Sequence, residues 1–197
     1  MSDYVLEYSN AWVDLVNEAL ARIGSDQITS LDDTTNTAMF CSNLLPSALR
    51  TVFGLHNWTC SITRALLTPV SDETPPFEFL YYYNLPTKYI RLIEISTSDY
   101  KIEGNRLLSN EESIQIVYTV LPEDPTTISP TLLRETVVAL LAHKLSTPLT
   151  GSAQLANSIY SEFASLVAEA KIQNDISVNE NAYIDDLSNN DLWINRR

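Results

Sequence analysis

The side chains here that could do chemistry are His56 and His143, Cys41 and Cys60, and the acidic pairs Asp32-Asp33, Glu111-Glu112 and Asp185-Asp186. A metal site would need ligands at helical or hairpin spacing, and neither HExxH nor CxxC occurs. The two cysteines lack a second ligand pair, which predicts buried, packed thiols. Acid–base work needs one carboxyl buried and shifted against another, whereas the three pairs lie in polar, turn-like contexts that predict solvated or capping groups. No GxSxG elbow is present, and Gly151-Ser152 opens a helix instead. With four glycines in the whole chain, a glycine-rich nucleotide loop is excluded too. The expectation is a protein that is not an enzyme and carries no cofactor or metal. A hydrolase built on Asp32 and Asp33 is the enzymatic alternative. The run Tyr81-Tyr82-Tyr83 could stack bases or sugars. Phe77, Phe79 and the tyrosines alternate along one predicted strand, however, which favours core packing and subunit contact.

Composition bounds the scaffold that must position these residues. The chain has 197 residues, 45% hydrophobic and 19% charged, enough to bury a core. Twelve Lys and Arg against twenty-five Asp and Glu give a net charge of −13. Such a field repels phosphates, so a grip on duplex DNA by counterion release is excluded, although DNA can pass without being held. Two cysteines make no disulfide framework and suit a reducing compartment. No stretch approaches the ~20 apolar residues of a membrane span, and MSDYVLEYSN lacks the basic and apolar regions of a signal peptide. Assembly in a cytosol is expected.

The hydrophobic period changes twice along the chain. Trp12, Val13, Val16, Ala19, Leu20 and Ile23 predict a helix from Asn10 to Ile23, ended by Gly24. A second helix is predicted from about Thr37 to Leu55, with Pro46 inside it and an N-cap from Asp32, Asp33 or a nearby Thr. After Trp58 the pattern is that of strands: Ile62–Leu67, Phe77–Tyr83, Tyr89–Ile95, a hairpin turning at Glu103-Gly104-Asn105, and Ser113–Leu121. In Tyr89–Ile95 simple alternation places Tyr89, Arg91, Ile93 and Ile95 on one side. Helices return at Thr131–Leu145 and Ser152–Gln173, separated by Pro148. From Asn174 the sequence is rich in Asn, Asp and Ser without a packing period, which predicts an extended tail.

The expected fold is α+β. A four-helix bundle (1–56 and 131–173) carries an inserted small antiparallel β-sheet or sandwich (57–130) and an extended C-terminal docking arm (174–197). In the arm, Ile184, Leu187, Leu192, Trp193 and Ile194 are costly to leave in water, and Arg196 and Arg197 end it with positive charge. Such a segment suits ordering on a partner's surface, with the aromatic as anchor.

The order of these features resembles the head-to-tail adaptor proteins of short-tailed bacteriophages, of the tail tubular protein A type. The resemblance runs through VNEALARIGSDQITSLDD, which holds an N-x-x-L-x-x-I-G stretch before an acidic loop, and LRTVFGLHNW, closing on Trp58 before the strands. It continues through LPTKYIRLIEI and SIQIVYTV, which feeds the last two helices. The tail NAYIDDLSNNDLWINRR departs from the family pattern. The resemblance implies a structural virion protein of the neck: a subunit of a ring, twelve-fold in the family, that docks beneath the portal. Its partners would be the portal protein, neighbouring copies of itself and a downstream nozzle or ring protein. Viral DNA would pass through its channel without specific binding, and no membrane would be involved. On that reading the arm residues Ile184 to Arg197 bind the portal. The alternative is a non-viral α+β module that recognises a partner protein.

Overall fold

A computed structural model describes the backbone of residues 10–194 and the side chains of residues 10–177. The first helix, α1 (Asn10–Arg22), buries Trp12, Leu15, Val16, Ala19 and Leu20 along one stripe. Gly24 follows with φ +70°, the left-handed conformation that stops a helix at little cost to glycine. The loop beyond is clamped to α1 by Asn17, whose side-chain amide donates to the Ile28 carbonyl and accepts from the Ile28 N–H (3.0 and 2.9 Å). Helix α2 (Asn36–Gly54) starts at Thr35, whose hydroxyl accepts from the Ala38 N–H, and retains Pro46 within it.

Six strands follow: β1 (Ile62–Leu67), β2 (Tyr81–Asn84), β3 (Tyr89–Ile95), β4 (Tyr100–Glu103), β5 (Arg106–Ser109) and β6 (Ile114–Val120). They form two antiparallel three-stranded sheets, ordered β1-β6-β3 and β2-β5-β4. Ile62 lies opposite Thr119, so the chain enters and leaves the strand region at neighbouring points. Gly104, at φ +61°, is the first of two turn residues between β4 and β5, where two-residue hairpins of type II′ need glycine. The sheets share a core in which Leu67, Ile114, Ile116 and Tyr118 of one meet Tyr83 and Leu107 of the other.

Two strand expectations are corrected. Phe77–Leu80 is not strand, and regular pairing begins only at Tyr81. Glu78 adopts φ +70° instead, which turns Phe77 out to solvent (75% exposed) while Phe79 stays buried. In β3 the register shifts between Tyr89 and Arg91 and again between Leu92 and Glu94. Simple alternation therefore fails. Tyr89, Leu92 and Ile95 pack on the strand core, and Ile90 packs on the helical core.

Helix α3 (Thr131–Thr150) runs five residues past its expected end and includes Pro148, stopping at Gly151 with φ +67°. α3 packs against α1, α2 and α4, and residues of all four helices join one cluster with Trp58, Leu121 and Ile128. Helix α4 spans Ala153–Ile194, which corrects the expected extended tail: the backbone from Asn174 to Ile194 is helical. Neither Gly nor Pro occurs after Gly151, so nothing in the covalent chain breaks the helix where apolar periodicity fades. The architecture is α+β, with four helices and two small antiparallel three-stranded sheets.

Candidate interaction sites

Polar side chains converge at the junction between α2 and β1. Trp58, fully buried, donates its indole N–H to the Val52 carbonyl at 2.9 Å, folding the chain back on the last turn of α2. The Trp58 carbonyl accepts from both the N–H and the hydroxyl of Ser61 (2.9 and 2.8 Å). His56 meets the Trp58 ring edge-on, with centroids 5.0 Å apart. From α4, Asn174 reaches into this turn and is 1% exposed. Its Oδ1 accepts from the Thr59 N–H (3.0 Å) and hydroxyl (3.1 Å), and its Nδ2 faces the Asn57 carbonyl at 3.4 Å. Next to it, Asp175 pairs with His56 at 2.9 Å. That contact, helped by the Asn174 side chain, holds the Asp175 carboxyl below the ordinary carboxylate range. Arg91 of β3 donates to Asn57, so helix, turn and sheet meet here.

Of the residues singled out for chemistry, His56 and the half-buried Cys60 lie in this junction, while Cys41, His143, Asp32-Asp33 and Glu111-Glu112 lie elsewhere. Cys41 is buried, and burial pushes its thiol up to about 11. Burial also raises Cys60, which stands four positions after His56. Among the described residues, no group of three His, Cys, Asp or Glu could hold a metal ion. His143 contacts the Ala156 carbonyl through Nδ1 at 2.9 Å and tilts against Tyr160. Asp33 accepts from the Thr29 hydroxyl and Ser30 N–H, which is loop capping. The Glu111 backbone carbonyl accepts from the Tyr83 hydroxyl. The three consecutive tyrosines diverge: Tyr83 is buried, Tyr81 half-buried, and Tyr82 lies under the Arg106 guanidinium at 4.9 Å. Asp185 and Asp186 lie outside the described side chains. So do Ile184, Leu187, Leu192, Trp193 and Ile194, although their backbone is helical. Arg196 and Arg197 lie outside the described residues altogether.

Asn174 is the residue sequence reasoning missed. The signal was present: Phe163, Val167 and Ala170 lead to Asn174 at helical spacings of four, three and four, so a polar residue occupies a core position. Two concave surfaces lie on the strand region among the described residues. One, of about 460 Å³, lies on the outer face of the β1-β6-β3 sheet between Arg64 and Glu94. The other, of about 640 Å³, lies where Lys88 of the β2–β3 loop pairs with Glu123 beyond β6. No described helix is long and apolar enough to cross a membrane. These features define an α+β chain of four helices and two small antiparallel three-stranded sheets. No protein-family model matches the sequence, and no curated protein matches it.

Proposed function

We propose that this chain is a structural virion protein, one subunit of a head-to-tail adaptor ring that docks on a phage portal. The ring extends the DNA channel and offers an attachment site for the next tail ring or nozzle. The observation that supports this most is the order of elements. Helices α1 and α2 lead to Trp58, a strand region runs from Ile62 to Val120 with Ile62 paired to Thr119 near its end, and α3 and the long α4 follow. In this reading the helices form a four-helix bundle, with the strands as an insertion from it. The absence of a clustered set of reactive groups among the described residues suits assembly better than catalysis. The charge of −13 lets packaged DNA slide past instead of sticking.

The test is electron microscopy and native mass spectrometry of the purified protein with and without its portal. A closed ring on the portal supports the reading. A monomer indifferent to portal overturns it in favour of the non-viral interaction module. The portal-binding role of the helical C-terminal segment is tested by deleting Ala182–Arg197. The truncated protein should retain its fold and bind portal at least about tenfold more weakly, and equal binding refutes the docking role.

A further inference from the structure

We propose that the outer face of the β1-β6-β3 sheet receives the Phe77 loop of a second copy of this chain. The inference rests on the ring reading for the identity of its partner and adds the contact that would build the ring. In the receiving groove, Arg64 lies opposite Val117 and Val117 opposite Glu94. Two opposite charges thus flank an apolar strip formed by Val117 and Leu66 (63% exposed). Arg64 makes no ion pair among the described residues. The groove holds about 460 Å³, room for an aromatic ring and a neighbouring aliphatic side chain.

The Phe77 loop offers what that groove lacks. Thr68–Leu80 contains Asp72, Glu73 and Glu78 and no Lys or Arg. Phe77 and Leu80 stand out at 75% and 60% exposure on either side of the buried Phe79. Their presentation is fixed. The Phe79 N–H closes a tight turn on the Phe77 carbonyl (2.9 Å) about Glu78, whose φ of +70° is one that L side chains rarely adopt. The Leu80 N–H is held by Asn110 (2.9 Å), and Glu78 faces Lys101 at 3.7 Å. A rigid apolar tip loses little freedom on binding, and backbone strain of this kind collects at binding segments. Charge completes the match. Asp72, which has no ion pair among the described residues, suits Arg64, and Lys101 beside the tip suits Glu94. The loop flanks β2 in the other sheet, where the Val70 N–H bonds to the Tyr82 carbonyl. Giving and receiving surfaces therefore differ, which is the heterologous arrangement that repeats around a ring.

The test uses two full-length variants, Arg64→Cys and Phe77→Cys, mixed at high concentration with a short bis-maleimide and mapped by mass spectrometry. Both sites are exposed, so folding is undisturbed. A 64–77 link present in the mixture and absent from either variant alone is the expected result. Phe77→Ala should weaken self-association by about tenfold or more. No such link, or one formed within a single chain carrying both substitutions, overturns the proposal. The link and the ring are read separately. A ring on portal without the link overturns this contact and leaves the ring reading standing. The link without a ring supports the contact and overturns the ring.

Discussion

Asn174 and Thr59, 115 positions apart, are joined by two hydrogen bonds to a single oxygen: the Thr59 N–H at 3.0 Å and its hydroxyl at 3.1 Å both donate to Asn174 Oδ1. Thr59 opens the 3-10 turn that leads into β1, and Asn174 lies on α4. One buried amide therefore fixes the position of the longest helix against the point where the strands begin.

Replacing that amide tests the arrangement. Asn174→Ala strips the Thr59 N–H of its partner in a buried setting and should cost about 1–3 kcal/mol. Urea denaturation measures the loss, and faster amide hydrogen exchange at Thr59 locates it. Asp175→Asn, next door but exposed, should change the midpoint little. An equal loss from both variants would place the anchor elsewhere.

Trp58 is the larger element of the same junction. Trp58→Ala empties a fully buried site and should cost roughly 3–5 kcal/mol. Trp58→Phe keeps most of the bulk but leaves the Val52 carbonyl without its indole donor, and should cost less. A thermal midpoint unchanged in Trp58→Ala would contradict the burial described here.

The strand region should be removable. Among the strand residues only Ile90 packs on the helical cluster, and Ile62 opposite Thr119 leaves a gap that a few flexible residues can close. Replacing residues 62–120 with a short glycine-serine linker should leave a helical, cooperatively melting protein. A coil-like circular dichroism spectrum would show that the helices need the sheets.

Stability should fall at both extremes of pH. The Arg106 contact holds Glu73 low, the Thr126 N–H holds Asp124 low, and His56 holds Asp175 low. The unfolded chain then takes up protons first as pH drops, so these contributions are present above the ordinary carboxylate pKa and lost through the lower folded values. In alkali the sign reverses. Burial raises Tyr83, Tyr89 and Tyr118 above 10.0, so the unfolded chain ionises first and stability declines as pH rises past that point. The melting temperature should hold a plateau between about pH 5 and 9. Asp175→Asn should soften the acid limb, and a melting temperature that climbs below pH 4 would contradict the scheme.

The parts legible in the sequence were those where one period or one residue decides the outcome. The stripe of α1, Gly24 as its stop, the Gly104 turn and the alternation of β6 each follow from local chemistry. Asn17 in the N-x-x-L-x-x-I-G stretch has a local role as well, clamping the loop at Ile28. What misled were positions settled by tertiary contact. The irregularities in β3 depend on which core each side chain can reach, and α4 passes Asn174 because Thr59 and Asn57 satisfy its amide. A polar residue scores as loop until its partners, more than a hundred positions away, are known.

The length of α4 gives its anchor a mechanical meaning. Asn174 is the last buried residue among those described, and the helix runs on to Ile194. At 1.5 Å per residue that is an arm of about 30 Å, so a tilt of some 10° about Asn174 sweeps its end through about 5 Å. The Arg91–Asn57 contact ties the sheet to the same fulcrum. A small rotation of the strand region, transmitted through this contact, would be magnified at the far end of the helix.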